Sequence, residues 1–392
     1  MRVLGMISGT SHDGIDAAAV EFELREEVLQ GTVLHSATTP YEAGLRDLLL
    51  RALPPAELRF ADVCRLDTLI GQAFAEVAAA TIARSGPVDL ICSHGQTVYH
   101  WVEGQRALGT VQLGQPAWIA ERTGVPVVAD VRIRDITAGG HGAPLVSAMD
   151  TLLLADLPGN PGALNLGGIA NLTLPRGPNG PLAYDIGPAN ALIDAAVRSS
   201  SGGILGCDWD GRLAAAGRIE TGLLAELLRD PYYALPAPKT TGKELFNADY
   251  LEAILTRQPG LRTEDLVATV TALTAETVAA EVRRQGVDTL VVSGGGWANP
   301  TLMAMLRERL PEVTTRSSAD FGAPTDAKEA IAFALIGWHT AHGLPSVVPS
   351  CTGARAARIL GAIVPGAGPL QLPIPLARPP RALRLESSST GG

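Results

Sequence analysis

Residues 5–16, Gly-Met-Ile-Ser-Gly-Thr-Ser-His-Asp-Gly-Ile-Asp, form a segment rich in glycine and hydroxyl groups that follows apolar residues 3–4 and leads into the apolar run 15–20. This pattern predicts the tip of a β-hairpin. Glycines let the backbone approach a ligand, and hydroxyl and N–H groups are typical of an anion-binding turn. Asp13 and Asp16 add carboxylates, which a phosphate site tolerates when a cation lies between them or a proton is moved. The same residue types are common in ordinary turns, so the segment alone leaves both interpretations open.

The composition is that of a folded protein with more than one domain. A length of 392 residues favours two or three domains, and 46% hydrophobic with 18% charged residues indicates packed cores. The net charge of −9 argues against nucleic acid or an anionic membrane as the main partner. The four cysteines show no paired metal spacing. With no leader and no window apolar enough to span a bilayer, we expect a soluble cytoplasmic protein.

The chain contains a second copy of its opening plan. Residues 163–174 again read as strand, glycine turn and strand, which predicts two similar α/β lobes with a cleft between them. We expect lobe I to span residues 1–140 and lobe II, with most of the nucleotide site, to span residues 141–345. A last helix at about 346–366 is expected to return to lobe I. Residues 367–392 are rich in proline, arginine, serine and glycine, which predicts a mobile tail.

Local patterns predict several elements that support these lobes. Apolar spacing predicts helices at 59–85 and at 264–285, the second capped by Thr263. A buried strand is predicted at 88–92, ending in the polar residues 93–97. Because ligands of α/β sheets usually bind at such strand ends, we expect these polar residues to face a ligand.

Common phosphate-binding motifs are absent from the sequence. Gly242-Lys243 is followed by Glu244 rather than by serine or threonine, so a P-loop is excluded, and no GxGxxG opens a helix after the first strand. Three glycine turns remain after apolar strands, at Gly9, 167–168 and 294–296. Glycine turns in both halves of the chain are what a two-lobed ATP-dependent phosphotransferase needs.

A series of segments, in order, resembles the motifs of the anhydro-N-acetylmuramic acid kinases. They are residues 9–16 (GTSHDGID), 93–97 (SHGQT), Asp130 with Arg132 and Asp135, 138–144 (AGGHGAP), 165–171 (NLGGIAN), 185–190 (DIGPAN), 241–247 (TGKELFN) and 294–296 (GGG) with Asn299-Pro300. The resemblance covers the chain from Met1 to about Gly366. Each motif is weak by itself, whereas the ordered set is specific.

The resemblance implies a fold and a reaction. The family belongs to the superfold of acetate and sugar kinases, actin and heat-shock chaperone ATPases, with two ribonuclease H-like lobes and with ATP and Mg²⁺ as cofactors. It implies that water opens the anhydro bridge of 1,6-anhydro-N-acetylmuramic acid while O6 takes the γ-phosphoryl group of ATP. The product, N-acetylmuramic acid 6-phosphate, feeds peptidoglycan recycling. The resemblance also implies a homodimer.

Asp185 matches the catalytic aspartate of the family. Attack of water on an anomeric carbon needs a carboxylate base on the face away from the leaving oxygen. An alternative role is a cap for the helix that begins near Ala191, but Asp185 stands too far ahead of that helix to cap it well. We therefore predict that Asp185 is the base.

Arg132 is a candidate for recognition of the sugar. A guanidinium group suits the lactyl carboxylate that distinguishes muramic acid from other sugars. The alternative is a salt bridge with Asp130 or Asp135, and the sequence does not choose between them.

The resemblance extends to further site residues. We expect the sugar to contact His94, Gln96, Arg132, Gly140, His141, Pro144 and Asn190. We expect the nucleotide to contact Gly9, Thr10, Ser11, His12, Asp13, Gly14, Ile15, Asp16, Asn165, Gly167, Gly168, Gly294, Gly295 and Gly296. Asp13 and Glu329 are expected to meet the metal or its waters, although Glu329 also fits a capping box with Asp326. His94 and His100 lack a zinc spacing and are interpreted as hydrogen-bonding or packing residues.

Lys239 and Lys243 are interpreted as solvated loop charges; the alternative places them at the cleft. The sequence departs from the family pattern at His12, His141 and Ala189. Of these, His141 puts the preferred sugar in doubt.

Three other functions make different demands on the sequence. Levoglucosan, a neutral 1,6-anhydro sugar, would leave Arg132 without a carboxylate partner. A non-catalytic actin-like nucleotide switch would need a large partner-binding insertion, which the sequence lacks. A metal-dependent hydrolase would need a closer histidine pair than His94 and His100.

Overall fold

The glycine-rich opening segment is the tip of an antiparallel hairpin, as predicted, formed by the strands Arg2–Ser8 and Gly14–Arg25. The computed structural model describes residues 1–9, 11–104, 106–177, 180–202, 204–242, 245–256 and 260–387. Thr10 and Lys243, which the sequence analysis singled out, lie outside these residues.

Strands and helices alternate along the chain. The strands are β1 (Arg2–Ser8), β2 (Gly14–Arg25), β3 (Val28–Pro40), β4 (Leu90–Glu103), β5 (Arg106–Leu113), β6 (Val127–Ala129), β7 (Pro161–Leu166), β8 (Ile169–Gly177), β9 (Gly180–Pro188), β10 (Thr289–Ser293), β11 (Thr314–Ser317), β12 (Ala362–Val364) and β13 (Ala382–Ser387). The helices are α1 (Ala43–Ala52), α2 (Phe60–Ser85), α3 (Pro116–Thr123), α4 (Ile133–Thr137), α5 (Ser147–Leu153), α6 (Asn190–Ser200), α7 (Arg212–Ala216), α8 (Thr221–Leu227), α9 (Ala248–Leu255), α10 (Thr263–Arg284), α11 (Pro300–Arg309), α12 (Lys328–Ala341) and α13 (Pro349–Thr352).

The chain divides into two compact units. Unit 1 contains Met1–Asp156 and the C-terminal part from Phe321, and unit 2 is the continuous stretch Leu157–Asp320. The sheet of unit 1 has the strand order β12-β6-β4-β1-β2-β3-β13, with β5 added to β4. The sheet of unit 2 has the order β11-β10-β7-β8-β9.

The two sheets share one plan. In each, the first strand pairs antiparallel with the second and parallel with the fourth of the repeat: β1 with β2 and β4 in unit 1, and β7 with β8 and β10 in unit 2. The third strand then pairs antiparallel with the second. The same order with the same strand directions in both units confirms the predicted pair of ribonuclease H-like lobes.

Side chains of β1 alternate between the two faces of the unit 1 sheet. Val3 and Ile7 belong to the apolar cluster that includes α12, whereas Leu4 and Met6 belong to the cluster that includes α2. Gly5 allows the closest approach of α12, because a Cβ there would lie 1.9 Å from the carbonyl oxygen of Ala330. Helix α12 therefore packs directly on the strand that leads into the opening turn.

Helix α2 corrects one expectation from the sequence. By length and composition, Phe60–Ser85 could cross a membrane. Its apolar side chains Ile70, Phe74 and Val77 are buried in unit 1 with β1 and β2. The apolar stretch is thus explained by packing within the protein.

The predicted boundary at residue 140 is wrong, because residues on both sides of it belong to unit 1. Helices α5 and α12, both assigned to lobe II from the sequence, are joined there by an ion pair. The ammonium group of Lys328 lies 2.6 Å from a carboxylate oxygen of Asp150, and both side chains are buried. The helix that returns to unit 1 is α12, whereas the region 346–366 contains only the short α13 and β12.

The predicted mobile tail is also wrong as far as residue 387. Strand β13 pairs in parallel with β3, and Leu383 and Leu385 are buried. Arg381 and Arg384 donate to the two carboxylate oxygens of Asp156 at 2.6 and 2.9 Å. Residues 382–387 of the tail therefore form an edge strand that charge-assisted hydrogen bonds hold to Asp156.

Two further local predictions need adjustment. Strand β4 does not end at Cys92 but continues to Glu103, because its second half pairs with β5. Helix α10 has Arg262 at its N-cap and no side-chain cap, so Thr263 lies inside the helix. Asn299 followed by Pro300 is a pattern that predicts a capped helix start. The structure confirms this cap for α11, since the side-chain oxygen of Asn299 accepts a hydrogen bond from the N–H of Leu302 at 3.0 Å.

Candidate functional site

The buried side chain of Gln96, in β4, holds the opening turn in place. The Ser8 hydroxyl lies 2.6 Å from Oε1 of Gln96 and 2.7 Å from the carbonyl oxygen of Gly14, and Nε2 of Gln96 donates to the carbonyl of Gly9 at 3.2 Å. The side chain of Gln96 is fully buried. Gln96 therefore fixes the turn, and its expected contact with the sugar stays a prediction.

The top of the turn is exposed and polar. Ser11 donates to Asp13 Oδ1 at 2.6 Å, and His12 adopts a left-handed conformation with φ of 55°. Arg46 of α1 donates through Nε to the carbonyl of His12 at 3.0 Å, which ties the turn to unit 1. Exposed hydroxyl and carboxylate groups on a fixed turn can face a nucleotide.

Gly14 and Ile15 belong to strand β2 and not to the exposed top of the turn. The Ile15 side chain is buried in the core, and its backbone lies in β2 opposite Thr39. Gly14 lies opposite Pro40 in the same strand pair, where a Cβ would lie 2.6 Å from the carbonyl oxygen of Thr39. The backbone of Ile15 is thus paired in the sheet and its side chain lies in the core, and its expected nucleotide contact stays a prediction.

Several carboxylates of unit 1 are close enough for their charges to affect the pKa of Asp16. Burial raises the pKa of Asp16 to about 6, the negative charges of Glu329, Asp13 and Asp326 add to the rise, and a 2.5 Å hydrogen bond from Thr38 opposes it. Burial also raises the pKa of Glu329, while Arg132 and Lys328 oppose that shift. Glu329 makes no side-chain cap for α12, whose N-cap is Ala327, so the alternative role in a capping box is wrong.

These residues fit a Mg²⁺ site in which the protein supplies only one or two of the ligands. Carboxylate oxygens are the ligands that this hard cation prefers, and a cation would relieve their mutual repulsion. In the described ranges, no three His, Cys, Asp or Glu side chains are close enough to cage a metal. The arrangement therefore suits a cation that keeps most of its waters and is shared with phosphates.

Arg132 is held by neutral groups. Its Nε donates to Nε2 of His94 at 2.7 Å, and its Nη1 donates to the carbonyl of Gly142 at 2.6 Å. Burial lowers the pKa of Arg132 to about 10, against the nearby charges of Glu329 and Asp135. Among the described residues, no carboxylate lies within ion-pair distance of its guanidinium group. The alternative of a salt bridge to Asp130 or Asp135 is therefore wrong.

His94 is buried and orients Arg132 by accepting its hydrogen bond. It packs on Phe333 with ring centroids 4.8 Å apart, and has its Nδ1 3.0 Å from the carbonyl of Gly95. Burial, with the charge of Arg132, lowers the pKa of His94 well below its ordinary value. His94 thus has the hydrogen-bonding role that the histidine spacing suggested, and its expected contact with the sugar stays a prediction.

The glycine-rich loop 138–144 is shaped by Asp135. Its buried carboxylate accepts from the N–H of Gly142 at 2.7 Å and from the hydroxyl of Thr352 at 2.8 Å. Gly140 packs so close that a Cβ would lie 2.3 Å from Asp135 Oδ2. Gly140 thus serves this packing. His141 and Pro144 are partly exposed on the same loop, and their contact with the sugar stays a prediction.

The glycine turns of unit 2 meet at one edge of its sheet. Strands β7 and β10 are parallel neighbours with Asn165 opposite Ser293, so the turns that follow them lie side by side. A Cβ on Gly294 would lie 2.5 Å from Asn165 Oδ1, and one on Gly296 would lie 2.6 Å from Leu166 Cβ. The structure therefore brings the two glycine turns of unit 2, residues 167–168 and 294–296, next to each other.

Helix α6 begins against the same turns. The carbonyl of Gly167 accepts from the N–H of Asn190, and that of Gly168 accepts from the N–H groups of Ala189 and Ala191, all within 3.0 Å. The side chain of Asn190 donates to the carbonyl of Leu166 at 3.0 Å. Asn190 is thus built into the wall of the turns, where it remains half-buried.

Asp185 lies in β9 and not at a helix start. Its Oδ2 accepts from the Thr240 hydroxyl at 2.9 Å and from the N–H of Thr241 at 3.0 Å. Its backbone N–H donates to the carbonyl of Lys239, and its carbonyl accepts from the Tyr232 hydroxyl. The alternative role as a helix cap is wrong, since α6 is capped by residues 167–168. The segment 239–241 thus holds the half-buried carboxylate of Asp185 in a fixed position.

Sequence reasoning missed the role of Lys239. Its side chain is buried, 3.6 Å from Glu281 Oε1, and donates to the carbonyls of Tyr232 and Tyr233. The interpretation as a solvated loop charge is therefore wrong. The available signal was rarity, because the chain has only three lysines and uses arginine elsewhere.

Comparison with known proteins identifies close relatives over the whole length. The model of a family described as anhydro-N-acetylmuramic acid kinase matches residues 1–366. A protein of that name from Streptomyces coelicolor is 56% identical over 387 residues, covering 98% of this chain and 99% of the relative. Proteins of the same name from Rhodococcus erythropolis and Streptomyces avermitilis are 51% and 54% identical, covering 99% and 95% of this chain and 100% and 97% of the relatives.

Proposed function

Because the chain belongs to the anhydro-N-acetylmuramic acid kinase family, we propose that it opens 1,6-anhydro-N-acetylmuramic acid with water and phosphorylates O6 with ATP. The product is N-acetylmuramic acid 6-phosphate. The observation that carries the proposal is the position of Asp185 in a strand of unit 2, where two hydrogen bonds hold its carboxylate.

Asp185 is the base in this proposal. It takes a proton from water as the water oxygen bonds to C1 of the sugar, and the bond between C1 and O6 breaks. The hydrogen bonds from Thr240 and Thr241 hold the carboxylate in one orientation, which is what attack on one face of an anomeric carbon requires.

The oxygen released from C1 is the nucleophile of the second half of the reaction. As O6 bonds to the γ-phosphorus, the bond from that phosphorus to the bridging oxygen of ADP breaks. We assign phosphate contacts to the polar turn at Ser11 and Asp13 and to the glycine turns at 167–168 and 294–296, because backbone groups can approach phosphates there. Mg²⁺, held through Asp13 and Glu329 or their waters, would neutralise phosphate charge.

Arg132 selects the substrate. Its guanidinium group is oriented by His94 and Gly142 yet lacks an ion-pair partner among the described residues. A partly buried cation without a counterion favours an anionic ligand, and the lactyl carboxylate of the muramic sugar supplies one. This argues against levoglucosan, which is neutral.

The biological setting follows from the family. We propose that the product enters peptidoglycan recycling and that the enzyme acts in the cytoplasm, where ATP is available. A homodimer is proposed on the same basis.

The test is a coupled assay of ADP release with Mg-ATP and each of three sugars: 1,6-anhydro-N-acetylmuramic acid, levoglucosan and N-acetylmuramic acid. Asp185→Asn is compared with Asp210→Asn, a matched change at an exposed aspartate of unit 2 that pairs with Arg212. We expect ADP release only with the anhydro-muramic sugar, lost in Asp185→Asn and retained in Asp210→Asn.

Other results have distinct meanings. ADP release with levoglucosan alone would keep the kinase and overturn the substrate. Nucleotide binding without turnover on any sugar would favour a non-catalytic nucleotide switch.

A further inference from the structure

We propose that Lys239 is a positioning residue for Asp185, fixing from within the core of unit 2 the segment that orients the carboxylate. This inference rests on the proposed role of Asp185 as the base.

The segment 239–241 runs alongside β9 at Asp185. The carbonyl of Lys239 accepts from the N–H of Asp185 at 2.9 Å, and the next two residues both donate to Asp185 Oδ2. Backbone and side chain of the aspartate are thus held by three consecutive residues. Any shift of this segment would move the carboxylate with it.

The segment is irregular and follows Pro238, so it has no helix or sheet of its own to hold it. The side chain of Lys239 supplies the anchor. Its ammonium group donates to the carbonyls of Tyr232 and Tyr233 at 3.2 and 3.3 Å and lies 4.7 Å from the centre of the Tyr232 ring. These contacts join the segment to the turn whose Tyr232 hydroxyl donates to the carbonyl of Asp185.

Glu281 of α10 completes the anchor. It is buried and lies 3.6 Å from the ammonium group, while its other oxygen is within hydrogen-bond distance of Tyr184 and Arg284. Tyr184 precedes Asp185 in β9. Lys239 therefore contacts the turn through two charge-assisted hydrogen bonds and the helix through a buried ion pair with Glu281, whose other oxygen binds Tyr184 of the strand.

The test compares Lys239→Met, which keeps the length of the side chain, with Arg309→Met as matched control. Arg309 pairs with Glu276 on the same helix α10 but does not contact the segment 239–241. Glu281→Gln is the second variant, because Lys239 keeps its carbonyl partners there. The measurements are kcat and KM, the pH profile of kcat, and hydrogen exchange at the N–H of Thr241, which reports its bond to Asp185.

We expect Lys239→Met to lower kcat about ten- to a hundredfold, as expected for a misplaced reacting group, with KM for ATP changed less than about twofold. The acid limb of its pH profile should move to higher pH, because lost donors stabilise the ionised carboxylate less. Glu281→Gln should show the same changes in smaller measure. Arg309→Met should lower only the melting temperature.

A normal kcat and pH profile in a folded Lys239→Met protein would overturn the proposal, as would equal losses in Arg309→Met. If Lys239→Met does not fold, an unchanged profile in Glu281→Gln would overturn it. If wild-type protein turns over no sugar, the proposed function fails, while exchange at Thr241 still tests the anchor: faster exchange in Lys239→Met alone supports it, and unchanged exchange overturns it.

Discussion

Arg132 donates its Nε–H to Nε2 of His94 across 2.7 Å, so the histidine must be neutral to accept it. The other ring nitrogen lies 3.0 Å from the carbonyl of Gly95 and donates to it in the same tautomer. Both nitrogens are therefore satisfied only without a charge on the ring. Burial lowers the pKa of His94 and keeps that state populated at neutral pH.

Replacing His94 with phenylalanine should weaken sugar binding. The ring still packs on Phe333, but Arg132 loses the acceptor that orients its guanidinium group. We expect KM for the anhydro-muramic sugar to rise about tenfold, the loss of roughly one net hydrogen bond, with KM for ATP unchanged. Steady-state kinetics measures this, and His339→Phe, another buried histidine of unit 1, serves as control. An equal rise in the control would contradict the prediction.

Arg132→Met should remove selection for the carboxylate. A charge-assisted hydrogen bond contributes about 1.5–3 kcal/mol, so we expect kcat/KM for the anhydro-muramic sugar to fall roughly ten- to a hundredfold or more. The rate with levoglucosan should stay the same or rise, because it has no carboxylate. Competition between the two sugars in one assay measures the ratio directly. Parallel losses on both sugars would show that Arg132 does not read the carboxylate.

Asp16→Asn should stabilise the fold at neutral pH and reduce activity. The folded pKa of Asp16, about 6, is raised above its ordinary value, so the folded state keeps the proton longer than the unfolded state as pH rises. Stability is then lost between about pH 4 and 6, and the ionised, partly buried carboxylate destabilises the fold above that range. The melting temperature of Asp16→Asn should exceed that of wild type at pH 8, with the gap closing near pH 4. A gap independent of pH would contradict this assignment.

Lys328→Met should destabilise unit 1 by about 3–5 kcal/mol, because Asp150 would be left charged and buried. The double variant Lys328→Met with Asp150→Leu should recover part of the loss, since no charge then remains buried. Urea unfolding followed by fluorescence measures both. A double variant less stable than the single one would mean that Asp150 stabilises the fold through other contacts.

The sequence predicted the features that depend on neighbouring residues. The opening hairpin, the second glycine turn at 167–168 and the cap at Asn299 are local patterns, and the structure contains all three. That the turns at 167–168 and 294–296 lie side by side was not predicted, because it depends on the parallel pairing of β7 with β10, two strands far apart in the chain.

What the sequence did not predict depends on residues far apart in the chain. Helix α12 belongs to unit 1 because Gly5 leaves room for Ala330, and no local pattern announces that packing. Gln96 is buried because β4 continues past Cys92 to pair with β5. Lys239 resembles a loop lysine until Glu281, more than forty residues later, is placed beside it.

Unit 1 is built from two segments of the chain, one before and one after unit 2, so the two units are completed in a fixed order during synthesis. Unit 2 is one continuous stretch and is complete on the ribosome once Asp320 has emerged, whereas unit 1 still waits for α12 and for the edge strand β13. Until those last residues are made, the sheet around β1 lacks the helix that covers Val3 and Ile7, and β3 is an open edge. Unit 1, whose synthesis begins first, is thus completed last, and during that interval the nascent chain exposes an apolar sheet face and an unpaired strand edge, which are prone to aggregation.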